Sequence, residues 1–143
     1  MVSLMDRVER FGVSMDPTLL AGLDELVSRR GYRSRSEAVR DMVRGALVER
    51  EWGDDERPVI GTVTLVYDHD SHDLAHELMD LQHDHHQAIV CTTHVHMDAH
   101  NCLEVVVVRG PAATVRRIGE RLISTRGVKH GRLTCSTTGS DLR

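Results

Sequence analysis

Two histidines that are two positions apart, His94 and His96, are followed by a cysteine in the segment His94-Val95-His96-Met97-Asp98-Ala99-His100-Asn101-Cys102. Residues i and i+2 of a β-strand project to the same face, so His94 and His96 would point the same way. Residues 98–101 are typical of a turn, and the valine-rich run that follows predicts a returning strand. Such a hairpin would bring Cys102 beside the histidines. Nitrogen and sulfur donors suit a late first-row divalent metal, with a fourth ligand supplied from elsewhere.

The histidine content supports this interpretation. The chain has 10 histidines, and all of them follow Trp52. Solvated histidines on an exposed strand would also give a His-x-His pattern, but a histidine-rich composition favours metal binding. A metalloenzyme and a metal storage protein are alternatives. Against an enzyme, catalytic metal sites keep an open position, and the chain has no His-Glu-x-x-His or Ser-His-Asp arrangement.

The first part of the chain, residues 1–52, predicts a small strand–helix–helix domain. Residues 8–15 alternate between apolar and polar side chains, which is typical of a short, half-buried strand. Asp16 is a predicted N-cap and Gly31 a predicted helix end. A capping box that begins at Ser34 predicts the second helix.

A domain of this size has little core, and its single strand would have two unpaired edges. Pairing of two copies into a ribbon solves both problems, and a β-ribbon fits the DNA major groove. The outward face of the ribbon would present Arg10, Gly12 and Ser14. The helix start at Ser34 offers backbone N–H groups to a phosphate. Nearby arginines are candidate phosphate contacts, although an ordinary charged helix end would look the same: Arg29, Arg30, Arg33 and Arg35.

A polar linker is predicted at 52–58, and the rest of the chain, 58–143, follows a different pattern. Its predicted order is β-α-β-β-α-β, which is the ferredoxin-like arrangement. The predicted strands cover 59–67, 87–97, 102–109 and 128–135, and the predicted helices end near residues 83 and 126. The whole chain is therefore expected to be an α+β protein, with a loose tail after residue 135.

Composition restricts the classes of protein further. Three cysteines at unrelated spacings do not make a disulfide framework. No apolar run reaches the ~18 residues that a transmembrane helix needs, and no secretory signal pattern opens the chain. These features indicate a reduced, cytoplasmic protein with no membrane partner.

The chain resembles the nickel-responsive transcriptional regulator family, NikR, from about residue 8 to residue 135. The resemblance lies in residues 29–32, 35–41, 82–83, 94–96, 101–104 and 126–131. It implies a ribbon-helix-helix DNA-binding domain at 1–52, followed by an ACT-like nickel-binding and tetramerisation domain at 58–143. It also implies a homotetramer built as a dimer of dimers, one Ni(II) per subunit and a double-stranded DNA operator. Family members loaded with nickel repress nickel-uptake genes, and some also activate other genes. The resemblance therefore implies a regulator and not an enzyme.

The resemblance also assigns residues to the metal site. The implied square-planar nickel ligands are His94, His96 and Cys102 of one subunit and His83 of a neighbour. Side chains that support these ligands would be Tyr67, Gln82 and Glu104. Ala99 departs from the family pattern, because many relatives have histidine there, and accessory metal sites built on that histidine are not expected.

Other implied roles lie in the first domain. Arg10, Gly12 and Ser14 would read bases, and Arg33 and Arg35 would contact phosphates. Glu37 and Asp41 would hold a second cation, although helix capping and solvation also account for them. Residues 1–7 extend beyond compact family members, either as an arm that modulates operator choice or as a disordered end.

Overall fold

The structure, a computed structural model, describes residues 8–142, so the N-terminal extension 1–7 lies outside the described residues. The described elements are α1 (Pro17–Arg30), α2 (Arg35–Trp52), β1 (Pro58–Asp68), α3 (His72–Asp84), β2 (Ile89–His96), β3 (Asn101–Pro111), α4 (Ala112–Ser124) and β4 (His130–Ser136). They form two compact units. Described residues up to Val43 belong to the first unit, and those from Arg44 onward belong to the second.

Helix α1 begins and ends where the sequence predicts. The Asp16 carboxylate accepts hydrogen bonds from the backbone N–H groups of Thr18 and Leu19, at 2.9 and 3.0 Å. These bonds satisfy donors that the first helical turn leaves without partners. The helix ends at Gly31, whose φ of 71° lies in the left-handed region that favours glycine.

Helix α2 begins with a modified capping box. The Ser34 hydroxyl accepts a hydrogen bond from the Glu37 backbone N–H at 3.2 Å, as predicted. The Glu37 carboxylate, however, accepts from the backbone N–H of Arg33 at 2.7 Å rather than from that of Ser34. The return bond therefore lies one residue earlier than in the usual box, and it fixes the turn that joins α1 to α2.

The predicted strand at 8–15 is absent from the single chain. Residues 8–16 have no strand assignment, and Phe11 and Val13 are 75% and 60% exposed. A strand exists only when its backbone groups bond to a neighbouring strand, and none of the strands within residues 8–142 pairs with this segment. The alternating apolar residues of this segment therefore form an apolar surface that is exposed to solvent in the single chain.

The second unit is a four-stranded antiparallel sheet with the order β2-β3-β1-β4. Together with α3 and α4 it has the predicted β-α-β-β-α-β order, and the α+β class is confirmed. Alternate residues of β1 and β3 are buried, which gives each strand one face toward the core. The core is mainly aliphatic and includes Val59, Val63, Leu65, Leu74, Leu78, Val106, Val108, Val115, Ile118 and Leu122.

Trp52 corrects the predicted linker. It ends α2 rather than beginning a polar segment, and it is buried in the core of the second unit. Its indole N–H donates to the Ser136 carbonyl on β4 at 2.7 Å. Gly61 allows this packing, because a Cβ there would lie 3.1 Å from the indole ring. Neither the contact with Ser136 nor that with Gly61 could be predicted from the local sequence, because residues 53–57, which follow Trp52, suggest a solvent-exposed linker.

The division between the two compact units falls within α2, after Val43. The functional domains at 1–52 and 58–143 stay a prediction. The predicted loose tail has at least one attachment, since Asp141 forms an ion pair with Arg57. Among the described residues, no helix has the length and apolar character to cross a membrane.

Candidate metal centre

The predicted hairpin exists, and its register places the candidate ligands side by side. On strands β2 and β3, His96 pairs with Cys102 and His94 pairs with Glu104. Directly opposed residues of an antiparallel pair project to the same face. The four side chains therefore lie on one face of the sheet, which is the face that β3 turns toward the core.

The turn between β2 and β3 is held by the Asp98 carboxylate. It accepts hydrogen bonds from the backbone N–H groups of His100 and Asn101 at 2.8 and 2.7 Å, and from the Asn101 side-chain amide. The Asn101 amide, followed by these backbone donors, holds the pKa of the Asp98 carboxyl well below its usual range. Lys129 donates to the Asn101 side-chain oxygen at 2.6 Å. This network fixes the spacing between His96 and Cys102.

Burial differs sharply across the candidate ligands. His94 and His96 are exposed on the edge strand β2, with their ring centroids 5.4 Å apart, whereas Cys102 is fully buried. Burial raises the pKa of the Cys102 thiol, which donates a weak hydrogen bond to the Tyr67 carbonyl at 3.5 Å. The hairpin thus combines two accessible imidazoles with a thiol that stays protonated until something stabilises its anion.

A buried carboxylate lies beneath the histidines. Glu104 is only 4% exposed, and it accepts hydrogen bonds from the Tyr67 hydroxyl and, at 2.7 Å, from the Gln82 amide. Thr92 in turn donates to Gln82 at 2.6 Å, which fixes the orientation of the amide. Burial, and then the bond to Glu104, raise the pKa of Tyr67. The family resemblance implied that Tyr67, Gln82 and Glu104 support one site; the three side chains are in contact, and their role beside a metal stays a prediction.

This arrangement fits a bound cation. The partners within hydrogen-bond distance of Glu104 are neutral groups, and His94 Nδ1 lies 4.0 Å from its carboxylate. A buried carboxylate without a cationic partner is costly, and a metal ion on the adjacent imidazoles would offset that cost. The donors themselves, two imidazoles and a thiol, are those that nickel, copper and zinc prefer.

His83 is separate from the hairpin. It lies near the end of α3, next to Gln82, and its side chain is exposed. The hairpin of one chain therefore supplies three of the four predicted ligands, and the assignment of His83 as a ligand from a neighbouring subunit stays a prediction.

Another group of possible ligands was missed by sequence reasoning. Donor atoms of Asp68, Asp70 and His100 all lie within 4.8 Å of one another, and no other such group of three occurs among residues 8–142. The group joins the end of β1 to the turn before β3. Histidine-rich composition pointed toward this region, but no local spacing links residues that are thirty positions apart.

The candidate DNA-contacting residues lie on the first unit. Arg10, Gly12 and Ser14 are exposed within the segment that has no strand. Arg35 forms a bidentate pair with Asp24, at 2.7 and 2.8 Å, and this guanidinium lowers the pKa of the Asp24 carboxyl. Ser34 caps α2, and Arg33 is exposed.

The two candidate ligands for a second cation have protein partners. Glu37 accepts from the Arg33 backbone, and Asp41 accepts from the Tyr32 hydroxyl. Helix capping therefore accounts for Glu37 in the single chain, and the cation role of both residues stays a prediction.

Comparison with known proteins matches two parts of the chain to two different family models. Residues 60–136 match the family model for the NikR C terminal nickel binding domain. Residues 9–50 match the model for ribbon-helix-helix proteins of the copG family. These matches cover the β2–β3 hairpin, and α1 with most of α2.

Several relatives align with this chain over nearly their whole length. A protein of Nitratidesulfovibrio vulgaris (strain DSM 19637 / Miyazaki F) is 55% identical over 138 residues, which is 96% of this chain and 99% of the relative. A protein of Geobacter metallireducens (strain ATCC 53774 / DSM 7210 / GS-15) is 53% identical with the same coverage. One from Thermococcus onnurineus (strain NA1) is 52% identical over 95% of this chain and 99% of its own length. All three bear the provisional name nickel-responsive regulator.

The fold, the donor set of the hairpin and these matches define a class, which is a DNA-binding transcriptional regulator with a nickel-binding domain rather than an enzyme. Within that class, the chain belongs to the NikR family of nickel-responsive regulators.

Proposed function

We propose that Ni(II) bound at the β2–β3 hairpin raises the affinity of the ribbon-helix-helix domain for an operator, and that the loaded protein represses nickel-uptake genes. The observation that carries this proposal is the register that sets His96 opposite Cys102 and His94 opposite Glu104. These residues lie on or next to β2, which is an edge strand of the sheet. A metal bound there could therefore take a further ligand from a neighbouring subunit.

The proposed ligands are His94, His96 and Cys102 of one subunit and His83 of a neighbour, with one Ni(II) per subunit. Bound nickel would supply a positive charge that stabilises the Cys102 thiolate. Tyr67 and Gln82 hold the Glu104 carboxylate in place beside the imidazoles. Side chains that fix the surroundings of metal ligands in this way tune both affinity and orientation.

The proposed assembly is a tetramer made from two ribbon-helix-helix dimers and four nickel-binding domains. Its support in the first unit is the uncovered apolar surface at Phe11 and Val13. In the second unit, β2 is an edge strand, and Val90 and Val95 on it are about half exposed. Because a ligand contributed by a neighbour joins two subunits, metal occupancy and quaternary arrangement would be coupled.

The proposed DNA surface uses Arg10, Gly12 and Ser14 for base contacts in the major groove. Arg33, Ser34 and Arg35 would contact the phosphate backbone. Arg35 is already paired with Asp24, so Arg33 is the stronger candidate of the two arginines. Glu37 and Asp41 would hold a second cation at the same helix.

A gel-shift titration on operator DNA, with nickel and with a chelator, tests the proposal. His96→Ala should abolish the nickel response and leave non-specific DNA binding intact. Arg10→Ala should cost roughly 1–3 kcal/mol and relax specificity at one position. Arg33→Ala should weaken binding to all sequences and reduce the salt dependence. Equal operator affinity in nickel and in chelator would instead indicate a constitutive DNA binder with a structural metal.

A further inference from the structure

Lys129 lies between α4 and β4, and it bonds to both strands that lie next to the start of the nickel hairpin. It is the one lysine of the chain, in which every other basic side chain apart from histidine is an arginine. Its backbone N–H donates to the Val66 carbonyl on β1 at 2.8 Å. Its ammonium donates to the side-chain oxygen of Asn101, the first residue of β3, at 2.6 Å. Lys129 therefore connects the start of β4 to the turn between β2 and β3.

The side chain of Asn101 is a neutral bridge between two charged groups. Its oxygen accepts from the Lys129 ammonium, and its amide nitrogen donates to the two carboxylate oxygens of Asp98 at 3.2 and 2.9 Å. A donor at the oxygen and an acceptor at the nitrogen favour a single orientation of the amide, because a flipped amide would lose both interactions. Lys129 thus helps to hold Asn101 in the orientation that bonds to Asp98.

The turn that these bonds stabilise separates two of the proposed nickel ligands. His96 is the last residue of β2, Cys102 is the second residue of β3, and the two pair across the hairpin. Between them, the Asp98 carboxylate accepts from the backbone N–H groups of His100 and Asn101. Ligands that are held in place before the metal arrives bind it more tightly, because less conformational freedom is lost on binding.

We propose that Lys129 is a positioning residue for nickel, which acts through Asn101 and Asp98 on the turn that sets His96 beside Cys102. The ammonium of Lys129 does not bind the metal in this role. The inference rests on the proposed assignment of His96 and Cys102 as ligands, and it is independent of the proposed control of transcription.

The sign of the effect separates positioning from simple electrostatics. An ammonium group repels a divalent cation bound nearby, so loss of its charge alone would strengthen nickel binding. Loss of positioning would weaken it. Metal-free, full-length protein is titrated with Ni(II), and the thiolate-to-metal absorption is followed. Lys129→Gln should raise the Kd about three- to tenfold, which is the effect of one hydrogen bond. Lys129→Arg keeps a cationic donor and should restore binding close to that of the wild type.

Asn101→Ala tests the route by which Lys129 acts. This variant should weaken nickel binding at least as much as Lys129→Gln does. The double variant should bind no more weakly than Asn101→Ala alone, because Lys129 would already have lost the side chain through which it acts. Additive effects of the two substitutions would overturn the proposal.

A second measurement needs no metal. Hydrogen exchange at the backbone N–H groups of His100 and Asn101 should be faster in metal-free Lys129→Gln than in the metal-free wild type, because the bonds that protect these groups open more often. Exchange at the wild-type rate would contradict the positioning role, since the turn would then be equally well held without the lysine.

Arg121→Gln is the matched control, because it removes one positive charge from an exposed position on α4 of the same unit. It should leave both the nickel affinity and the exchange at the turn unchanged. Nickel affinity in Lys129→Gln that equals or exceeds that of the wild type would overturn the proposal. A wild-type protein without thiolate-to-metal absorption would overturn the ligand assignment and this inference together, whereas operator affinity does not enter either measurement.

Discussion

Tyr67 donates its phenolic hydroxyl to the carboxylate of Glu104, and both residues are buried beneath the histidine pair on β2. Tyr67 also pairs across the β1–β3 ladder with Cys102. One tyrosine therefore contacts the carboxylate through its side chain and the thiol through its backbone. Strand β1 thus holds the β3 side of the hairpin in place through backbone pairing and through the bond from Tyr67 to Glu104. The exposed histidines lie next to side chains whose positions are fixed by these contacts.

Tyr67→Phe should destabilise the protein by about 1–3 kcal/mol, because it removes one donor from a buried acceptor. Chemical unfolding followed by circular dichroism measures this. Tyr32→Phe is the matched control, since the Tyr32 hydroxyl bonds to Asp41, whose side chain is exposed. Tyr32→Phe should lower the free energy of unfolding by less. An equal decrease in both variants would mean that the burial of Glu104 does not strengthen the contribution of its hydrogen bond to stability.

Nickel binding should weaken as the pH falls from about 8 to about 6, because the thiolate of Cys102 must form for the metal to bind. Burial raises the pKa of this thiol, so the free protein holds its proton across that range and binding must release it. Nickel titrations at several pH values, with proton release measured in parallel, check the sign. In Cys102→Ser the thiolate absorption should be absent. Cys91→Ser and Cys135→Ser should retain it, because Cys91 lies opposite Val107 and Cys135 opposite Gly61, and neither pairs with a candidate ligand.

Asp98→Asn should lower the melting temperature more at neutral pH than in acid. The pKa of Asp98 is lowered in the folded state by Asn101 and by two backbone donors. A lowered pKa means that the stabilisation is complete above the unfolded value, about 3.8, and is lost as the pH falls through the folded value. The difference in melting temperature between wild type and variant should therefore be constant near neutrality, and it should shrink once the pH falls below the unfolded pKa of about 3.8. A difference that grows in acid would contradict the assigned role.

Gly61→Ala should cost about 1–3 kcal/mol through overpacking. A Cβ at this position would lie 3.1 Å from the Trp52 ring and 3.1 Å from the Thr134 carbonyl. Gly12→Ala is the control, because nothing lies within 4 Å of a Cβ at that position in the single chain. Thermal unfolding compares the two. A Gly61→Ala protein as stable as the wild type would show that Trp52 can shift without loss.

Local patterns predicted the second unit well, and the reason is physical. In β1, every second residue is buried, so the alternation from residue 59 to residue 67 carries the strand assignment directly. The alternation at 8–15 is of the same kind, but its strand requires a second chain. Trp52 was assigned to a linker because polar residues follow it, and its partner, Ser136, lies 84 positions away.

The candidate site divides in the same way. The spacing of His94, His96 and Cys102 encodes their juxtaposition, because a tight hairpin is a local structure. The junction of Asp68, Asp70 and His100 depends on how two separate turns meet, which no short window of sequence contains. His83 is a third case, since its proposed role requires contact with another subunit.

The burial of Trp52 gives the protein an internal optical probe. It is the one tryptophan in the chain, and it lies in the core of the second unit, bonded to the last strand. Its fluorescence will therefore report on that unit, and unfolding confined to the first unit, which ends at Val43, will leave the emission largely unchanged. Circular dichroism records the helices of both units. A denaturation curve that differs between the two signals would measure how independently the DNA-binding and nickel-binding parts of this regulator unfold.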